Sequence, residues 1–394
     1  MLKTLDTIPF HGTLDKSEKA WYTFFAAYKT AKKRAKEVQK MSVKTETKKK
    51  AWQKLLIALG IAAIVIVVFF GAVIGYFRIS VSEYYKASEK AFEIPGISDG
   101  FVAQGISYDA REDTFFLSGY MNDKSASPVY LVKKSEGKKA KAKTLYLKDT
   151  DGSDYTGHCG GLNVHGDYIY VAGSGKHCLY VYSYAEALAA EDESGLECKG
   201  TFLIESEDKS DYIGVAFVTV WDNALVAGEF YREQNYPTLD THKRVTASGE
   251  TNYAMAVCYP FADGTEGENE AAFGLKKQPS AAISMPGLVQ GAYFENGKAV
   301  ISTSYAVAFS HLYEYDLSKS ATGGKVTLMG AELPLYSLDN GSLTADYKIA
   351  PMSEEIVLVD GKTYVMCESA SDKYKFGKFT GAKWCYATDL TKMG

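Results

Sequence analysis

One 23-residue apolar run, five recurrences of a hairpin pattern at steps of 53 to 77 residues, and a third apolar strand trailing each hairpin are the leading features of this sequence. Together they predict an all-β ectodomain, a five-bladed β-propeller, behind a single transmembrane helix and a short cytoplasmic helix.

The N-terminal part is set apart by charge. The chain has 394 residues and a formal net charge of −4. Residues 1–54 carry 14 Lys/Arg against 5 Asp/Glu, which leaves 30 against 43 of the chain's 44 and 48 for residues 55–394. A basic segment directly before an apolar run is what membrane orientation requires, so a nucleic-acid partner is not expected. Asp15 and Glu18 make an Asp-x-x-Glu start, and the pattern predicts a helix over about 15–39. Trp21, Phe24, Phe25 and Tyr28 then share one helical face, followed by Lys32, Lys33, Arg34 and Lys36. An aromatic stripe beside a basic cluster suits the inner surface of a bilayer, where each Lys or Arg gains on the order of 1 kcal/mol from anionic lipid. The alternative is a topogenic signal combined with a partner-binding helix.

The run Leu55–Phe77, "LLIALGIAAIVIVVFFGAVIGYF", contains no charged or amide side chain. At about 1.5 Å per residue it exceeds a hydrocarbon core of roughly 30 Å. Trp52 and Lys54 before it, and Tyr76, Phe77 and Arg78 at its end, are interfacial anchors. It begins too late for a cleaved signal peptide and is too long for an ordinary core helix. Lys and Arg crowd the N-terminal flank, so the expected location is the cell membrane, with one pass, the N terminus in the cytoplasm and the C-terminal domain extracellular. Residues 78–91 are expected as a stalk and 92–394 as the propeller.

Five segments of the ectodomain echo one another. They begin near 104, 160, 213, 290 and 354, as in "AQGISYDAREDTFFLSGY" and "VQGAYFENGKAVISTSY". Each opens on small or polar residues, alternates apolar and polar, reverses at a turn and returns to a small or acidic residue. Asn296-Gly297, Asp360-Gly361, Gly166-Asp167 and Asp222-Asn223 supply the reversals. Third strands follow in "SPVYLVKK", "HCLYVYSY", "YAMAVCYPF", "SHLYEYDL" and "KWCYATDL", with room for a fourth, such as "KTLYLKD" and "KGTFLIES". A blade buries its faces only by packing on neighbours, which explains the repetition. The longest step, 213 to 290, leaves space for a degenerate sixth blade or for surface loops. A two-sheet sandwich is the architectural alternative.

Stretches such as "YTGHCGGLNVHGDYIYVAG", "MPGLVQGAYFENGKAVISTSY" and "APMSEEIVLVDGKTYVMCESA" resemble a group of membrane-anchored or secreted bacterial propeller proteins. More distantly, the chain is similar to the NHL, YVTN and strictosidine-synthase-like propellers over residues 92–390. The resemblance implies a fold and no activity. It departs from that pattern at Glu354-Glu355, where Glu-Gly is commoner in the group.

In an antiparallel hairpin the start of one strand lies beside the end of the next. Ring closure therefore brings the polar hairpin ends Gln104, Tyr120, His158, Glu229, Gln290, Tyr305, Glu354 and Glu368 toward one mouth, the expected ligand site. The bland alternative is that these residues only satisfy backbone groups and pack blades. The preferred function is recognition of an unidentified extracellular protein, glycan or small ligand. A glycosidase- or lactonase-like hydrolase using Glu229, Glu354, Glu355 or Glu368 is one alternative, and a structural subunit of a cell-envelope complex is another. No metal or cofactor is expected, since no ligand spacing is present. All six cysteines fall in the ectodomain. Cys367 and Cys385, in adjacent strands, are the first candidate disulfide, against buried free thiols.

Overall fold

The structure is a computed structural model that describes residues 16–267, 269–375, 377–380 and 383–394. The chain divides into two compact units, Met1–Ala72 and Val73–Gly394.

The first unit is dominated by one helix, α1, which runs unbroken over Lys16–Ile79. The expected end near 39 is absent. No Gly or Pro occurs between positions 16 and 59, and the Ala- and Lys-rich sequence favours continued helix. The cap expected from Asp15 and Glu18 lies outside the described residues. Among the described residues, α1 is the one helix long and apolar enough to cross a membrane, and none of its apolar window is buried.

The second unit is a five-bladed β-propeller. Blade 1 comprises Phe101–Asp109, Thr114–Met121, Pro128–Lys133 and Ala142–Leu147. Blade 2 comprises Cys159–His165, Tyr168–Gly173, Cys178–Ser183 and Cys198–Leu203. Blade 3 comprises Val215–Trp221, Ala224–Glu229, Ala254–Pro260 and Ala281–Met285. Blade 4 comprises Val289–Glu295, Lys298–Thr303, Ser310–Asp316 and Leu343–Ile349. In blade 5, Ser353–Val359, Lys362–Cys367 and Trp384–Thr388 are completed by Ser88–Glu93. Each inner strand abuts the next, and the fifth returns to the first.

The inner hairpins reverse as their turn residues demand. Asp222 and Asn223, Asn296 and Gly297, and Asp360 and Gly361 all have positive φ, the backbone of a two-residue turn that matches strand twist. Apolar side chains then fill the spaces between blades, with one buried cluster at each of the five interfaces. Phe116 of blade 1 with Leu162 of blade 2, and Val226 of blade 3 with Ile301 of blade 4, are typical members.

The stretch expected as a stalk differs. Ser82–Ala87 forms a short helix, α2, whose Tyr84 is fully buried between blades 4 and 5. Ser88–Glu93 pairs antiparallel with Trp384–Thr388, so the outer strand of the last blade comes from the beginning of the propeller sequence. The ring is thereby closed by hydrogen bonds rather than by packing alone.

No sixth blade occupies the long step among the described residues. Residues 230–280 instead hold the ribbons Arg244–Val245 with Thr251–Asn252 and Ala271–Ala272 with Leu275–Lys276. Two outer blade edges are covered by neighbours. Ser194–Leu196, from the blade 2 connection, pairs parallel with the outer strand of blade 1. Ala331–Ser337, from the blade 4 connection, does the same to blade 3. Both additions shield backbone groups that an edge would expose.

The cysteines are free. Cys385 packs in the cluster between blades 5 and 1, whereas Cys367 packs in the cluster between blades 4 and 5. The two thiols point to opposite faces of the same blade, which corrects the expected disulfide.

Candidate functional site

All five inner strands are interrupted at the same level. Their pairing registers shift between Ala103 and Gly105, Cys159 and Leu162, Val215 and Phe217, Val289 and Gly291, and Ser353 and Ile356. These are β-bulges, which bend a strand and re-aim the extra residue. The recurring Gln-Gly and Gly-Gly pairs of the sequence sit at them. A Cβ on Gly105 would lie 2.7 Å from the amide nitrogen of Leu162, and one on Gly160 would lie 2.3 Å from the carbonyl oxygen of Ala216. Glycine is required there because the inner strands of adjacent blades meet backbone to backbone.

Glu355 occupies the centre of this level and is 1% exposed. Its carboxylate accepts the amides of Ile106 at 2.9 Å, Leu162 at 3.0 Å and Val218 at 3.0 Å, one from each of blades 1, 2 and 3. On the fourth side its Cα leaves no room for a side chain at Gly291. The bulges free these amides from their own hairpins, and one carboxylate gathers them. Burial lifts the Glu355 pKa to about 8 against the pull of the three amides. The hairpin-end serines act similarly. Ser118 donates to the Gly160 carbonyl at 2.7 Å, and Ser302 bonds Ser353 at 2.8 Å, each joining two blades.

Around Glu355, side chains from blades 1, 2 and 5 form a polar cluster at the hairpin ends. Gln104, at the bulge of blade 1, donates to Glu368 at 3.2 Å and bonds His158 through its side-chain oxygen. The His158 ring lies 4.3 Å from that of Tyr120, centroid to centroid. Tyr374 donates to Glu368 at 2.8 Å, and Lys373 bonds the Tyr120 hydroxyl. Glu354 is 2% exposed beside them. Gln104 and Glu354 are buried, Tyr120, Glu368 and Tyr374 are half-buried, and His158 and Lys373 reach solvent. The residues thus grade from floor to rim.

The electrostatics are those of a site short of positive charge. Burial, then Glu368 and Glu355, raises the Glu354 pKa well above the carboxylate range. Burial raises Glu368 to about 7, opposed by Tyr374, Lys373 and Gln104. The two acids interact, so the pair retains a proton near neutrality. Although His158 reaches solvent at the rim, its ring is desolvated against Gln104 and Tyr120, and this and the Lys373 charge lower its pKa, which favours a neutral ring able to accept or donate.

Among the described residues, the remaining expected mouth residues, Glu229, Gln290 and Tyr305, form no side-chain hydrogen bond with this cluster. Glu229 is 3% exposed and committed elsewhere: it accepts from the Met255 amide at 2.8 Å and bonds His242 at 2.8 Å. His242, itself fully buried, bonds Asp211 at 3.0 Å. Burial opposes charge on this imidazole, but Asp211 and Glu229 outweigh it and lift its pKa to about 9. The triad ties the 230–253 excursion to blade 3. Tyr305 is 37% exposed with the Arg232 guanidinium 3.9 Å from its ring centroid. Gln290 occupies the blade 4 bulge and is half-buried.

Lys373 and Tyr374 have no counterpart in the sequence repeat. They fall in residues 368–383, a connection between the second and third strands of blade 5 that is far longer than in blades 1, 2 and 4. That length was the available signal. Two clefts open elsewhere on the propeller and share no residue with the cluster: one of about 320 Å³ beside Phe92, Phe115 and Lys138, and one of about 620 Å³ beside Val81 and Tyr347.

No family model matches the chain, and no curated protein sequence does. Among solved structures, it is similar to the PQQ-bound aldose sugar dehydrogenase of Streptomyces coelicolor, at 12% identity and a TM-score of 0.42 over 76% of this chain and 95% of that one. It is also similar to the glutaminyl cyclase of Myxococcus xanthus, at 11% identity and a TM-score of 0.36 over 76% and 97%. Hydrazine synthase of Kuenenia stuttgartiensis matches at 15% identity and a TM-score of 0.35 over 68% and 80%.

Proposed function

We propose that this chain is a membrane-anchored recognition propeller. Residues 55–77 hold it in the cell membrane, the basic tail is cytoplasmic, the propeller is extracellular, and a protein, glycan or small ligand binds at the polar mouth. One observation carries the reading. Glu355 and the hairpin-end serines are engaged with the blades themselves, as structural residues are. The mouth side chains behave otherwise: Gln104, His158, Tyr120, Glu368, Lys373 and Tyr374 contact one another's side chains. Convergent polar groups grading from a buried floor to an open rim are what a ligand site needs.

The hydrolase alternative gains no ground over recognition. Glu229 is held by His242 and the Met255 amide, which leaves Glu354 and Glu368 as the acid pair, and Glu368 is already held by Gln104 and Tyr374.

The test is a screen of the full chain in lipid nanodiscs against glycan, peptide and metabolite libraries, run in parallel with Q104A and H158A. A ligand bound by the wild type and lost in both variants supports the reading. Ligands retained equally by both variants refute the mouth as their site.

A further inference from the structure

The mouth contains two acids whose complement is missing. Among the described residues, Glu354 makes no side-chain hydrogen bond, although it is 2% exposed. Glu368 stands across the same hairpin, its amide bonded to the Met352 carbonyl at 3.0 Å. The cation facing both is Lys373. Its ammonium lies 4.7 Å from the ring centroid of Tyr120 and 5.1 Å from that of Tyr374, and it bonds the Tyr120 hydroxyl. Among the described residues it forms no ion pair with either carboxylate.

Buried carboxyls, a side-chain amide oxygen and the faces of two tyrosines make an acceptor-rich, electron-rich surface. Its chemical complement has donors only and carries positive charge. A primary ammonium offers three donors and no acceptor, and aromatic faces attract it. A neutral polyol would leave the two acids uncompensated. A divalent metal prefers more ligands than this, and among the described residues no three His, Cys, Asp or Glu side chains converge.

We propose that the mouth takes a primary ammonium group between Glu354 and Glu368, with the Tyr120 and Tyr374 rings beside it, and that Lys373 is its resident stand-in. This rests on the reading of the mouth as a ligand site. The ammonium comes either from a polyamine or from the free amine of a peptide. Lys373 is exposed and extends from the long connection, so an incoming amine competes with it for the same rings. Binding also supplies the charge that Glu354 and Glu368 lack, in an environment otherwise set by Glu355, His158, Gln104 and Tyr374. The pair then gives up its retained proton.

Isothermal titration calorimetry on the full chain in detergent at pH 6.5 tests this, with cadaverine, triglycine and N-acetyl-triglycine as probes. Cadaverine, triglycine or both should bind, and the acetylated peptide should not. Cadaverine alone assigns a polyamine source, and triglycine a peptide source. K373M should bind the amine about tenfold more tightly, and E354Q with E368Q at least tenfold more weakly. Binding heats measured in buffers of different ionisation enthalpy should report proton release, a readout that needs no variant. Absence of amine binding by both the wild type and K373M overturns the proposal, as does binding without proton release. If amines fail while a library ligand is lost in Q104A, the ammonium assignment falls and the mouth reading stands. If amines fail and the library ligands also ignore Q104A and H158A, both fall.

Discussion

Exchange of Glu355 for glutamine isolates the contribution of one side chain to ring integrity. The wild-type carboxylate accepts two amides on one oxygen, those of Ile106 and Leu162, and the Val218 amide on the other. Glutamine keeps a single oxygen. Its better orientation retains Ile106 and Leu162 and turns the amide NH2 toward the Val218 N–H, donor against donor. One buried amide is left unsatisfied, which costs about 1–3 kcal/mol. Relief from burying an acid offsets part of this, so E355Q should lose about 2 kcal/mol. Leucine has no acceptor at all and strands three amides, so E355L should lose at least twice as much. The assay is guanidinium unfolding of the full chain in detergent at pH 9, above the Glu355 pKa of about 8 so that the group is a carboxylate, followed by near-ultraviolet circular dichroism of the propeller aromatics. E355Q within 0.5 kcal/mol of wild type, on the order of the error in such comparisons, or E355L no worse than E355Q, would refute the idea that one carboxylate holds three blades together.

Three further outcomes are expected. H242A leaves Glu229 buried without its cation and should cost about 3–5 kcal/mol; because the His242 pKa is raised to about 9, the gap between wild type and variant should be full below pH 6.5 and shrink as pH rises through 9, measured by thermal unfolding across that range. For Glu368, raised to about 7 from 4.5, the sign reverses the usual carboxylate case: the stability of wild type relative to E368Q should fall as pH rises from 4.5 to 7, and a flat difference would count against a retained proton. G105A, whose Cβ meets backbone at 2.7 Å, should cost about 1–3 kcal/mol or more, whereas G297A, in open space at φ 73°, should cost about 1 kcal/mol from backbone strain alone.

The blades were legible in the sequence because their signals are local. Alternation of period two marks the strands, and pairs such as Asn296-Gly297 mark the turns that set their register. Hairpin register then carried information about the mouth: it brings Gln104, Tyr120, His158, Glu354 and Glu368 into one cluster. Glu229 obeys the same register, with Val215 opposite it, yet is diverted by His242, thirteen residues later in an irregular excursion that no periodicity describes. Lys373 and Tyr374 were hidden for the same reason. The role of Glu355 was visible only as a departure from Glu-Gly, since its three partners come from three other blades. The outer strand of blade 5 was hardest to foresee. "SEKAFE" reads as a polar linker, and its partner is some 300 residues away.

That strand has a consequence for the order of events during synthesis. Ser88–Glu93 is the first strand of the propeller to leave the ribosome, and Trp384–Thr388 is the last. Every other blade draws its four strands from one continuous stretch of sequence and can pair them soon after that stretch emerges. The first-made strand lacks its native partner until the last strand has been made. A chain cut short before residue 384 therefore retains a free edge close in sequence to its long apolar helix, and such edges invite proteolysis or pairing with other chains. Completion of the last strand is thus the step that distinguishes a finished molecule from a truncated one, and it does so at the end of the propeller nearest in sequence to the long apolar helix.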